Sequence, residues 1–104
     1  MIRGTTPTLV FKIPFQLTNF NRGWVTFVQL AEDGSVISYL DKALSDCILD
    51  ANMIELTLTQ EETLAFYPNI PLNIQIRLAD EDGKAPASDI ITEPVFDVLK
   101  DGVI

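Results

Sequence analysis

Apolar and polar side chains alternate along most of this chain. Ile54, Leu56 and Leu58 alternate with Glu55, Thr57 and Thr59, and Leu72, Ile74, Ile76 and Leu78 alternate with Asn73, Gln75, Arg77 and Ala79. Near the start, Leu9, Phe11, Ile13 and Phe15 share one parity. Successive side chains of a strand point to opposite faces, so each stretch predicts a strand with one dry and one wet face. Such one-sided strands suit antiparallel sheets, because strands of buried parallel sheets are apolar on both faces.

Turn chemistry divides the rest. An Asp33-Gly34 step lies between two β-rich runs and predicts a hairpin pairing 24–30 with 35–40. Its first arm places Trp24, Thr26, Val28 and Leu30 on one side and Val25, Phe27 and Gln29 on the other. A similar step, Asp82-Gly83, follows the strand over 72–79. The last run, EPVFDVLKDGVI, reads as an edge or terminal strand with Pro94 at its start or on its exposed side, since proline cannot donate to a ladder. Thr59-Gln60-Glu61-Glu62 has the spacing of a capping box and predicts one short helix near 60–66, stopped by Pro68. Leu64 with Phe66 or Tyr67 would then plug one end of the fold. Short strands at regular spacing predict an all-β chain: an antiparallel, immunoglobulin-like β-sandwich of about seven strands, with a small barrel as the alternative. The whole of 1–104 is expected to form one domain, with 1–7 as an extended arm.

Composition narrows the function. At 104 residues, 47% apolar and 21% charged, the chain can fill one core and is not disordered. No apolar run approaches the roughly 18 residues of a membrane span, and the start lacks the apolar stretch of a secretory signal. The expected place is therefore the cytosol. One cysteine and no histidine rule out an intramolecular disulfide, a Cys/His zinc site and any imidazole base. Cys47, beside Ile48 and Leu49, reads as a small buried apolar residue. The net charge of −8 argues against binding nucleic acid or anionic membranes. Residues 1–31 nevertheless hold Arg3, Lys12 and Arg22 and no acid, while all 15 acids follow. Either this is surface chemistry for solubility, or a positive edge meets a negative surface on another copy or a partner.

Candidate chemistry is sparse. Glu61 and Glu62 form the tightest carboxylate pair that also carries a helix start signal, but neighbours on a short helix point in different directions, and capping explains them. Asp80 and Asp82 lack EF-hand spacing and read as a solvated turn. Arg22 beside Trp24 offers either a stacked binding spot or a loop leading into a strand whose Trp24 is core, and the second is the simpler reading. No catalytic residue, cofactor or metal site is expected.

The segments MIRGTTPT, LTQEETLAF and NIQIRLADEDGKAPASDIITEPV resemble small proteins from the structural-gene regions of tailed phages and of prophages in Gram-positive bacteria, although this chain has Leu9 where a polar or aromatic residue is usual. The resemblance implies a non-enzymatic virion structural or accessory protein, in the tail or baseplate region. It would be made in the bacterial cytoplasm and be virion-associated, and its partners would be other phage structural proteins or further copies of itself. The residues expected to meet a partner are Arg3, Thr5, Thr6 and Pro7 in the arm, with Arg22 and Trp24 second. The tail residues Val103 and Ile104 could be buried in a partner or on the chain's own sheet. The alternative function is a carbohydrate- or ligand-binding module that uses Trp24, Tyr39 or Tyr67.

Overall fold

The computed structural model describes residues 1–104 and contains seven strands: β1 (Thr8–Lys12), β2 (Phe20–Leu30), β3 (Val36–Ala43), β4 (Ile48–Asp50), β5 (Met53–Thr57), β6 (Leu72–Asp80) and β7 (Ile91–Glu93). One helix, α1 (Gln60–Leu64), joins β5 to β6. The strands form two antiparallel sheets with orders β1-β5-β4 and β3-β2-β6-β7. With β1 to β7 taken as strands B, C, C′, D, E, F and G, these are the B-E-D and C′-C-F-G orders of an immunoglobulin-like sandwich. No strand pairing joins the two sheets, so the barrel alternative falls.

The dry parities meet between the sheets. Phe11, Ile54, Leu56 and Leu58 from one layer pack with Val25, Phe27, Leu72, Ile74, Ile76 and Leu78 from the other in one core. Each fully buried side chain of this size contributes about 1.5–3 kcal/mol. Phe66, just past α1, closes one end of this core with its ring 6.2 Å from that of Phe27. Leu64 is half-buried and Tyr67 is exposed, so Phe66 is the main plug.

Both Asp-Gly steps build the same turn. Ala31 N–H donates to the Ser35 carbonyl and Gly34 N–H to the Ala31 carbonyl. Asp80 N–H donates to the Lys84 carbonyl and Gly83 N–H to the Asp80 carbonyl. Gly34 and Gly83 both sit at φ +86°, the left-handed region that closes a three-residue hairpin loop.

Three expectations need correction. The last strand is Ile91–Glu93 and ends before Pro94 instead of beginning at it, because β6 pairs with the segment that still has its N–H groups. Trp24 is not core: Val25, Phe27 and Gln29 face inward, and Trp24 lies on the wet side, 51% exposed. The arm 1–7 is not free. Ile2 bridges Phe96 in parallel, Leu58 N–H donates to the Pro7 carbonyl, and the Thr63 hydroxyl donates to the Thr5 carbonyl.

Candidate functional site

The wet parity of β2 organises the outer face of the four-stranded sheet. Trp24 stands between Ala43 and Arg77, Thr26 between Asp41 and Gln75, and Val28 between Tyr39 and Asn73. Leu30, Tyr39 and Ile90 are also exposed here, at 42%, 62% and 63%. Together they make an apolar and aromatic strip with polar side chains interleaved. Scattered exposed apolar residues are ordinary, but a strip along one sheet face is not.

Polar contacts hold the face in shape. Asp41 accepts from the Thr26 hydroxyl at 2.5 Å and from the Tyr39 hydroxyl at 2.8 Å. The bond to the Asp41 carboxylate pushes the Tyr39 phenol above its ordinary pKa, so it stays protonated and donating. A groove of about 570 Å³ runs across the face, with Tyr39, Asn73, Gln75, Arg77 and Ile90 along it.

The expected contact residues divide. Arg22 and Trp24 both lie on this face, but Arg22 donates to the Asp80 carbonyl at 3.4 Å and is not stacked on the indole. Arg3 lies elsewhere and is engaged by its own chain. Its Nε donates to the Phe66 carbonyl, Nη2 to the Leu64 carbonyl and Nη1 to Asp97, each at 2.8 Å. It therefore closes the C-terminal end of α1, where carbonyls lack helical partners and a cation is favoured. Thr5 donates to the Ile2 carbonyl, Thr6 is exposed beside α1, and Pro7 carries the chain into β1. Tyr67 does not line the groove. In the tail, Ile104 is exposed and tied to Gln60 through its backbone, and Val103 is also exposed.

The carboxylates serve structure. Thr59 and Glu62 make the capping box, with Glu62 N–H to Thr59 Oγ1 at 3.1 Å and Thr59 N–H to Glu62 Oε1 at 2.9 Å. Lys42 Nζ adds a bond to Glu62 Oε2 at 2.8 Å. Partial burial opposes ionisation of Glu62, but the bonds from Lys42 and Thr59 outweigh it and hold the carboxyl below its ordinary range. Asp80 accepts from Lys84 N–H at 2.8 Å, closing its turn. Cys47 is only half-buried, because β4 runs at a sheet edge. Burial and the neighbouring Asp46 charge push its thiol pKa up and away from the reactive thiolate.

Two features escape pattern reading. Gln29 is fully buried on the apolar side of β2. Its Nε2 donates to the Tyr67 and Ile70 carbonyls, and its Oε1 accepts from Tyr67 N–H. The only signal in the sequence is a polar residue where the parity asks for an apolar one. The Lys42–Glu62 pair joins residues 20 positions apart and leaves no local trace.

No protein-family model, curated protein or solved structure matches this chain. No helix is long and apolar enough to cross a membrane.

Proposed function

We propose that this chain is a non-enzymatic assembly module that works by protein–protein contact through the outer face of the β3-β2-β6-β7 sheet. The observation that carries this reading is the strip of Trp24, Val28, Leu30, Tyr39 and Ile90 on a face that its own fold leaves uncovered. Aromatic residues and arginine with few acids are what contact centres are enriched in, and Trp24, Tyr39 and Arg77 meet that description. The resemblance of MIRGTTPT and the two longer segments to phage and prophage proteins supports a structural or accessory role in a virion, in the tail or baseplate region.

The test is binding between the purified chain and each purified product of the adjacent genes, measured by calorimetry. A complex that Thr26→Arg abolishes supports the reading. A complex that Thr26→Arg leaves intact, or no complex with any product and no self-association, overturns it.

The groove favours one rival. Tyr39, Asn73, Gln75 and Arg77 give it an aromatic plane beside amides and a guanidinium, a lining that also suits a carbohydrate. A saturable change in Trp24 fluorescence on adding glycans would favour that rival.

A further inference from the structure

We infer that Asp101 is a site of spontaneous covalent modification: in the folded chain its carboxyl closes onto the Gly102 nitrogen as a succinimide and reopens as isoaspartate, which releases Ile104 from α1. Neither step involves the outer sheet face.

The backbone nitrogen after an aspartate attacks that residue's side-chain Cγ. A C–N bond forms, a C–O bond breaks, and the carboxyl hydroxyl leaves with the amide proton as water. Water then opens the five-membered ring at one of its two carbonyls. Opening at Cγ returns aspartate, whereas opening at the main-chain carbonyl routes the backbone through Cβ and Cγ. One water is lost and one regained, so no oxidant or other reactant is needed. The nitrogen must lie against the carboxyl group, must be free of other hydrogen bonds, and must belong to a residue without a bulky branch at Cβ.

Four aspartates come near these conditions, and one meets all of them. Asp33, Asp82 and Asp101 each precede a glycine. Gly34 N–H is committed to the Ala31 carbonyl at 2.9 Å, and Gly83 N–H to the Asp80 carbonyl at 3.3 Å. The Asp33 carboxylate is also held by Ser35, through its N–H at 2.9 Å and its hydroxyl at 2.6 Å. The turn around Asp82 is closed by Asp80 N–H to the Lys84 carbonyl at 2.9 Å and by Lys84 N–H to the Asp80 carboxylate at 2.8 Å. Gly102 N–H has no backbone acceptor. It donates to Asp101 Oδ1 at 3.0 Å, which sets the nitrogen beside Cγ. Asp101 is exposed, and Arg3 Nη2 stands 3.9 Å from the same oxygen, too far for a hydrogen bond. Asp97 repeats the contact, with Val98 N–H to its Oδ1 at 2.8 Å, but Val98 is β-branched and Arg3 holds that oxygen at 2.8 Å.

The consequence falls on the tail. Ile104 N–H donates to Gln60 Oε1 at 2.9 Å, and Gln60 Nε2 donates to the Ile104 carbonyl at 3.3 Å, so one side chain ties this residue to α1. Isoaspartate inserts one more backbone atom ahead of that pair, a lengthening of about 1.5 Å. Bonds of this length do not survive such a shift.

Ageing the purified chain for weeks in neutral buffer tests both steps, with peptide mapping by electron-transfer fragmentation and NMR of the Gln60 side-chain amide. Isoaspartate is expected at Asp101 at least about tenfold faster than at Asp33, Asp82 or Asp97. In urea, where no fold holds the amides, the three Asp-Gly steps should age alike. The Gln60 amide signals should move as the wild type ages. They should stay fixed in Asp101→Glu, which keeps the charge but cannot close a five-membered ring.

No isoaspartate at Asp101, or formation at Asp33 or Asp82 as fast in the folded chain, overturns the modification site. Isoaspartate at Asp101 with the Gln60 signals unmoved overturns the release of Ile104.

Discussion

Gln29 and Tyr67 are joined by a reciprocal pair of hydrogen bonds: Gln29 Nε2 donates to the Tyr67 carbonyl at 2.8 Å, and Tyr67 N–H donates to Gln29 Oε1 at 2.8 Å. The second amide proton reaches the Ile70 carbonyl at 2.9 Å. One side chain thus acts as a strand partner for the loop between α1 and β6. A buried amide with its donors used in full fixes one arrangement, and removing it leaves buried backbone groups unpaired. Gln29→Leu keeps the apolar volume and is expected to destabilise the fold by about 2–3 kcal/mol. Urea unfolding should show a lower midpoint with little change in slope.

Gly23 is required for a different reason. A Cβ there would lie 2.7 Å from the Arg77 carbonyl oxygen and 2.5 Å from a Leu44 methyl. The methyl could move, but the carbonyl belongs to the β2–β6 ladder. Gly23→Ala should cost about 1–3 kcal/mol, read as a fall in thermal midpoint, although alanine is ordinarily the better strand residue.

Arg3 ties three parts of the chain together: the first residues, the end of α1 and Asp97. Arg3→Ala is expected to cost about 2–3 kcal/mol, since charged hydrogen bonds are worth more than neutral ones. Arg3→Lys should recover less than half of that, because an ammonium cannot reproduce the planar fork. Thermal melts of the two variants check both statements. Equal stability of Arg3→Lys and wild type would contradict the clamp.

The Lys42–Glu62 pair makes stability depend on pH. The Glu62 pKa is lowered from 4.5, so its contribution is fully present above 4.5 and is lost as pH falls through the lower folded value. The Lys42 pKa is raised from 10.5 by the bond it donates to Glu62, so its share is present below 10.5 and lost as pH rises through the higher folded value. Glu62→Gln should therefore cost about 1 kcal/mol at pH 7 and progressively less on acidification below 4.5. Denaturant titrations of both proteins at several pH values check the sign.

The two-residue rhythm made most of this fold legible. It placed β1, β2, β5 and β6 and the dry faces of β1, β5 and β6, because a sheet with one buried face writes its register into the sequence. The Asp-Gly steps and the capping box were legible because they are local chemistry. β4 was not, since Ile48, Leu49 and Asp50 form a short exposed edge with no alternation. Parity divided β2 into two sides, but which side was dry depended on the sheet opposite, and the bulk of Trp24 suggested the wrong one. The role of Arg3 was hidden for the same reason: its partners lie more than 60 positions away. As for the site, the sequence named Arg22, Trp24 and Tyr39 separately. Only strand pairing sets Trp24 beside Arg77, and Tyr39 beside Val28.

The central claim is that the outer face of the four-stranded sheet is where this protein meets other proteins. Amide and indole resonances of the ¹⁵N-labelled chain, followed by NMR on dilution and on titration with an adjacent gene product, test it most directly. The account predicts shifts centred on the Trp24 indole, Thr26, Tyr39 and Gln75, with β1 and β4 unmoved. Shifts confined to β1, β4 or the 98–104 tail, with the Trp24 indole stationary, would contradict it.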